Sequence, residues 1–254
     1  MASDDRRDRI LAHLRKKETA SVEELSVELG VSKMTVHRDL DLLEQRKVLR
    51  KIRGGVTLQP SILFEADYAF RSLHSLDEKQ ALADRAFELV EPGMAVLIDD
   101  SSTCFAMIPS LAEKAPLTVI TNAVHVMEAL RTIEGVTVII LGGRYDPVSN
   151  SVLGLVCEQS MSRLRADIGF YSTSTIVGTD CFVHDPDIVR AKHAMMRGCR
   201  KNYLLVDSTK FGKSALNLFC GLDAFDRTFI TSRIPADALD KLRIASVEHD
   251  IVRM

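Results

Sequence analysis

No two of the five cysteines in this 254-residue chain, Cys104, Cys157, Cys181, Cys199 and Cys220, stand in a C-x-x-C pair. An odd, widely scattered set reads neither as a disulfide framework nor as a zinc site, so reduced thiols in a core are expected and no metal or organic cofactor. An apolar leader is missing too, because the opening MASDDRRDRI mixes acids and bases, and no run is long enough to cross a bilayer. These absences place the chain among soluble cytoplasmic proteins without a membrane partner. A strong charge of one sign is equally absent: the net charge is -2, with 13 Lys/Arg against 10 Asp/Glu in residues 1–60 and 20 against 25 in the remainder. The cationic surplus is small, and by itself it does not point to nucleic acid. The length suffices for one small and one medium domain.

Within the small N-terminal part, the residues do carry a pattern. Ser21 followed by Glu24 is a capping box, and Val22, Leu25 and Leu29 recur at helical spacing behind it. Gly30 ends that helix and Ser32 caps the next, in which Val36, Leu40 and Leu43 form one apolar side. That leaves Lys33, Thr35, His37 and Arg38 on or near the other side. Arg46, Lys47, Arg50, Lys51 and Arg53 then place five cations in eight residues without an acid, and Gly54-Gly55 marks a hairpin turn before Val56 to Leu58. A helix with polar groups facing out beside a cationic two-stranded wing divides labour as DNA binding requires, with base edges read by one element and phosphates neutralised by the other. An earlier helix over Asp5 to Lys16 buries Ile10, Leu11 and Leu14 beneath this pair.

The run VEELSVELGVSKMTVHRDLDLLEQRKVLRKIRGGVTL resembles the winged helix-turn-helix of the DeoR family of bacterial sugar-metabolism repressors. The matching residues are Thr35, Arg38, Asp39, Leu40, Gly54 and Gly55. His37 departs, standing where the family usually has arginine, and an imidazole offers a phosphate less than a guanidinium does. The DNA-contacting set is therefore expected to be Ser32, Lys33, Thr35, His37, Arg38, Arg50, Lys51, Arg53, Gly54 and Gly55. A winged helix-turn-helix over residues 1–58 and a connector over 59–76, in which Phe64, Tyr68 and Phe70 dock on a domain, lead to an effector domain over 77–254.

From Asp77 onward, apolar β-rich runs alternate with helical patterns, which predicts an α/β domain with a mostly parallel sheet. Strands are expected near Ala95–Ile98, Thr118–Thr121, Val136–Leu141, Gly169–Ser172, Tyr203–Val206, Thr228–Thr231 and Asp250–Val252. Helices are expected over Phe105–Lys114, Ala123–Arg131, Ile188–Cys199 and Ala236–Ile244. Ligands of such sheets collect at the carboxyl ends of the strands. There the sequence has Asp99-Asp100-Ser101-Ser102-Thr103, Thr121-Asn122, Gly142-Gly143-Arg144, then Ser151 and Gly154, and finally Asp207-Ser208-Thr209-Lys210-Phe211-Gly212. Hydroxyls at helix starts and a lysine beside a glycine suit a phosphate.

These loops also match the family's C-terminal domain, which the resemblance implies is similar in fold to ribose-phosphate isomerases and coenzyme A transferases and senses a phosphorylated sugar. The implied effector contacts are Asp99, Ser101, Ser102, Thr103, Thr121, Asn122, Gly142, Gly143, Ser172, Lys192, Asp207 and Lys210. Ser101 stands in place of a family glycine, Ser172 to Thr175 in place of G-A-D-G, and Ile188 where an acid is common. His184, Asp185 and Asp187 read as a turn. The expectation is a transcriptional repressor of a carbohydrate operon rather than an enzyme, a homodimer or homotetramer released from operator DNA by a small phosphorylated sugar. The alternative is a sugar-phosphate isomerase or hydrolase with an N-terminal oligomerisation module, for which Asp99, Asp100 and Asp207 are candidate bases.

Overall fold

The computed structural model describes residues 3–17, 19–45, 49–57, 67–212 and 215–254. The chain divides into two compact units, Met1–Leu73 and His74–Met254.

In the first unit, helices α1 (Ser3–Lys17), α2 (Val22–Leu29) and α3 (Lys33–Gln45) pack with a small antiparallel sheet of β1 (Thr19–Ser21), β2 (Arg50–Ile52) and β3 (Gly55–Thr57), ordered β1-β3-β2. The apolar spacing read from the sequence becomes its core, where Ile10, Leu14, Leu25, Val36, Leu40, Leu49 and Val56 have no exposed surface. The Ser21 Oγ accepts from the Glu24 amide at 3.0 Å. The Glu24 carboxylate turns instead to Lys17 and to His13 Nε2 at 3.4 Å, so only the serine half of the capping box forms. Strand β1 was not legible in the sequence. It explains Gly55, which is already the first residue of β3 and lies outside the turn: a Cβ there would sit 2.2 Å from the Ala20 carbonyl oxygen. The turn itself is Arg53-Gly54, between register partners Ile52 and Gly55. Arg46, Lys47, Leu58, Phe64 and most of the expected connector lie outside the described residues.

The second unit is built on seven parallel strands ordered β15-β14-β12-β9-β4-β5-β6. They are β4 (Ala95–Ile98), β5 (Leu117–Thr121), β6 (Val136–Ile140), β9 (Ala166–Tyr171), β12 (Cys199–Val206), β14 (Arg227–Thr231) and β15 (His249–Val252). Alternation along these strands feeds two cores, as a sheet covered on both faces requires. Val96, Ile98, Phe170, Leu205 and Phe229 pack on one side with Leu82 and Ala83 of the helix Leu76–Phe87. Leu97, Tyr171, Leu204, Val206 and Ile230 pack on the other with Met161, Ala191 and Met195. The expected helix over Phe105–Lys114 is instead three short pieces, Ser102–Phe105, Ile108–Leu111 and a 3-10 turn at Ala112–Lys114. Pro109, which has no amide hydrogen to donate, is the second residue of the second piece. The helices Val124–Leu130, Pro186–Gly198 and Ala236–Ile244 stand near their expected places.

Two antiparallel additions complete this unit. A hairpin pairs β7 (Arg144–Asp146) with β8 (Ser151–Leu153) ahead of the helix Leu155–Ser162. A three-stranded sheet joins β10 (Thr175–Val177), β11 (Asp180–Val183) and β13 (Asn217–Gly221).

Candidate functional site

In the N-terminal unit, α2 ends on Gly30 and α3 starts one turn later. Ser32 Oγ accepts from the Thr35 amide at 3.2 Å and lies 3.0 Å from the Thr35 hydroxyl, so both residues fasten the N-terminus of α3. Lys33, His37 and Arg38 are exposed on this helix. Between α3 and the wing runs a cleft of about 230 Å³, lined among others by His37, Lys33, Lys51, Ile52 and Gly54. Arg53 and Gly54 at the wing tip are exposed, whereas Arg50 and Lys51 are partly covered.

Two of the cations expected to contact DNA already have carboxylate partners. Lys33 pairs with Glu23 of α2, and Lys51 pairs with Asp41 and, at 4.0 Å, with Glu44 of α3. Such exposed pairs contribute about 1 kcal/mol or less, so a phosphate can displace the acid. The partner of Asp39 and the exposure of Met34 are not legible in the sequence. Asp39, buried inside α3, accepts a two-pronged contact from Arg6, with Nη2 to Oδ1 at 3.0 Å, which fixes α3 against α1. Met34 is 66 % exposed in the first turn of α3, where an apolar side chain suits a thymine methyl. His37→Arg is expected to tighten DNA binding by about 1 kcal/mol, since a permanent cation replaces a ring that is charged only when protonated. A fluorescence-anisotropy titration of both proteins checks this, and equal affinities would place His37 away from the DNA.

In the second unit, the loops after β4, β5, β9 and β12, with the helix Pro186–Gly198 that carries Lys192, hold a concentration of buried polar side chains. Asp99, Asp100, Ser101, Ser102, Thr103, Thr121, Asn122, Ser172, Lys192, Asp207 and Lys210 are all buried. Asp99, after β4, is their hub. Its Oδ1 accepts from the Ser101 amide at 3.0 Å and its Oδ2 from the Ser172 amide at 2.9 Å, and it is ion-paired with Lys192. The Lys192 ammonium also donates to the Ser172 carbonyl at 3.1 Å and lies 3.4 Å from Asp100. Burial, the largest influence, pushes the Asp99 carboxyl up, but the charge and hydrogen bond of Lys192 with the Ser101 and Ser172 bonds outweigh it and hold Asp99 below its ordinary value. For Lys192, burial works downward and the charges of Asp99 and Asp100 prevail, raising it.

Ser101 Oγ caps the helix Ser102–Phe105 by accepting from the Cys104 amide at 3.1 Å. At the end of β5, Thr121 donates to the Ile98 carbonyl at 2.7 Å and accepts from the Ala123 amide at 3.0 Å, which ties the ends of β4 and β5 together. Asn122 donates to the Val152 carbonyl at 3.3 Å. Its Oδ1 is buried without a partner among the described residues. Gly142 and Gly143 are exposed, and a Cβ on Gly143 would meet the Leu153 carbonyl oxygen at 2.6 Å, so the loop can lie against β8 only as glycine.

On the other flank, Asp207 accepts from Thr209, and Lys210 receives a bond on its carbonyl from Thr175 Oγ1 at 2.9 Å. Burial tends to raise Asp207; the charges of Lys210 and Lys79 and the Thr209 bonds bring it below its ordinary value. This loop hangs on Glu78, another residue the sequence reading passed over, which accepts from the Ser208 amide at 2.8 Å and hydroxyl at 2.7 Å and from Thr231. The strand order puts Asp99, Ser172 and Lys192 at the centre, with Asn122 and the glycines on one side and Lys210 on the other. Asp185 caps the helix that carries Lys192, accepting from the Asp187 amide at 2.7 Å.

A winged helix-turn-helix joined to a parallel α/β unit with a polar, strand-end site is the build of a ligand-sensing transcriptional regulator. Residues 6–61 match the DeoR-like helix-turn-helix domain and residues 74–233 the DeoR C terminal sensor domain. The chain belongs to the DeoR family and is a DNA-binding transcriptional regulator. It is 29 % identical over 96 % of its length, and 92 % of the relative's, to a protein of Escherichia coli O157:H7 provisionally named the aga operon transcriptional repressor. It is 26 % identical to the glycerol-3-phosphate regulon repressor of Escherichia coli K12, across 95 % of this chain and 96 % of that one. Among solved structures, ribose 5-phosphate isomerase A from Methanocaldococcus jannaschii covers 53 % of this chain and 54 % of its own, at 17 % identity and a TM-score of 0.39. No helix among the described residues is long and apolar enough to cross a membrane.

Proposed function

We propose that the protein represses a carbohydrate operon from the cytoplasm as a homodimer or homotetramer, and leaves its operator when a small phosphorylated sugar occupies the strand-end site. The observation that carries this reading is the gathering of buried hydroxyls, Asn122 and two lysines at the carboxyl ends of adjacent parallel strands, in a domain of the sensor type. Names of relatives point the same way, toward repressors of sugar and glycerol-phosphate genes. Ser102, Thr103 and Lys210 would take the phosphate. The unpartnered Asn122 Oδ1 needs a donor, which a sugar hydroxyl supplies.

An isomerase requires a carboxylate free to take a proton from carbon. Asp99 does not suit that role, since its oxygens are occupied by two amides and an ammonium. This removes Asp99 from the three candidate bases, and the sensing reading rests on the match to the sensor domain. Release by effector requires that the sugar phosphate bind the form with low DNA affinity more tightly.

On the DNA side, Ser32 and Thr35 would set the start of the reading helix, Lys33, His37 and Arg38 would meet the groove, and Arg50, Lys51, Arg53, Gly54 and Gly55 would meet phosphates. Arg38→Ala is expected to weaken binding to the promoter of the regulated genes and blunt discrimination against unrelated DNA. Lys51→Ala should weaken binding to both alike and lower the slope of log affinity against log salt by about one unit. The reading fails if neither substitution changes binding in a salt titration, or if no sugar phosphate releases the protein from that promoter.

A further inference from the structure

In the three-stranded sheet, β11 and β13 run antiparallel, and Cys181 and Cys220 are directly opposed register partners. Opposed residues of an antiparallel pair hold their Cα atoms about 4.5 to 5.5 Å apart with both side chains on one face, inside the window of about 4.4 to 6.8 Å that a disulfide accepts. Both are free thiols. Contact with Cys220, then burial, holds the Cys181 thiol well above its ordinary value. Cys181 is fully buried and Cys220 only partly so, which gives the pair one thiol open to a reagent and one behind it. A register shift falls between Cys181 and Phe182, so the ladder has slack just beside the pair.

We infer that Cys181 and Cys220 form a reversible disulfide site whose oxidant is a low-molecular-weight disulfide of the glutathione type. The Cys220 thiolate attacks one sulfur of the oxidant, forming a mixed disulfide and releasing one glutathione thiolate. When the ladder opens at the register shift and admits water, Cys181 gives up its proton, attacks the Cys220 sulfur and expels the second. Two protein thiols are oxidised by two electrons, the reagent is reduced to two thiols, and the released thiolates take up the two protons.

The position ties this chemistry to the strand-end site. The carbonyl of Phe182, next to Cys181, accepts from Thr173 Oγ1 at 2.8 Å and from the Ser174 amide at 3.1 Å, and so holds the loop that follows Ser172. The carbonyl of Phe219, next to Cys220, accepts from His193 Nε2 at 2.7 Å on the helix that carries Lys192. A cross-link therefore braces the two supports of that site, although its formation stands independently of what the site binds.

The test treats the full-length protein with glutathione disulfide, removes the reagent, unfolds the protein in guanidinium containing iodoacetamide so that every remaining thiol is blocked, and maps peptides by mass spectrometry. The expected product joins the Cys181 and Cys220 peptides with the loss of two hydrogens, disappears with dithiothreitol, and leaves Cys104, Cys157 and Cys199 alkylated. Cys220→Ser should give neither the cross-link nor a glutathione adduct on Cys181. A stable glutathione adduct on Cys220 in the wild type overturns the inference, because Cys181 then fails to resolve it. So does an unmodified native protein under conditions that oxidise the same protein in guanidinium.

Discussion

Lys192→Met is expected to destabilise the effector domain by about 3 to 5 kcal/mol, because it strands Asp99 as an unpaired charge with no exposed surface. For a domain of this size that corresponds to a fall in Tm of roughly 6 to 20 °C. The double variant Asp99→Asn with Lys192→Met should recover much of the loss, since the uncompensated charge is gone. The pH dependence has a definite sign on each side. Asp99 lies below its ordinary value, so its contribution is present above the unfolded value and lost as the pH falls through the folded one. Lys192 is raised, so its contribution is present below the unfolded value and lost as the pH rises through the folded one. The pair is therefore at full strength between about pH 4 and about pH 10, and the difference between wild type and Lys192→Met should shrink outside that window. Thermal unfolding followed by circular dichroism at several pH values measures this. A Tm within a degree or two of wild type at neutral pH would mean that the pair stabilises nothing.

Lys210→Ala is expected to raise the concentration of sugar phosphate needed for release from DNA by roughly ten- to a hundredfold, as loss of a charge-assisted contact costs about 1.5 to 3 kcal/mol. DNA affinity without effector should not change. Lys210 also helps hold Asp207 ionised in a buried loop, so the alanine variant needs a control for altered folding. Lys210→Arg, which keeps the charge, should restore most of the response, and the unphosphorylated sugar should be a weak inducer of every variant. Anisotropy of labelled promoter DNA against increasing sugar phosphate gives the midpoints. Unchanged midpoints in Lys210→Ala, or equal potency of the free sugar, would remove the phosphate from this loop.

The parts of the molecule legible in the sequence are those written in local spacing. Val36, Leu40 and Leu43 announce α3 because helical periodicity repeats within two turns, and all three are buried. The seven parallel strands announce themselves as short apolar runs, because a strand covered on both faces needs apolar residues at consecutive positions. What escaped depends on partners far apart in the chain. Asp39 looks like a surface acid until Arg6, 33 positions away, is brought against it. Glu78 looks like the solvated first turn of a helix, yet its carboxylate serves Ser208 across a separation of 130 residues. The three-residue strands β7, β8 and β10 are too short for alternation to register, and β1 is recognisable only through the glycine it forces on β3. Cys181 and Cys220 likewise read as unrelated thiols until β11 and β13 lie side by side.

The Arg6–Asp39 contact has a practical consequence for handling the protein. The guanidinium that sets the angle of the reading helix belongs to the sixth residue of the chain, in a helix that begins at Ser3. A shortened start that omits Arg6 would yield a protein that still folds its sensor but aims its DNA-reading helix poorly, and an inactive preparation of that kind would be easily mistaken for one lacking its effector.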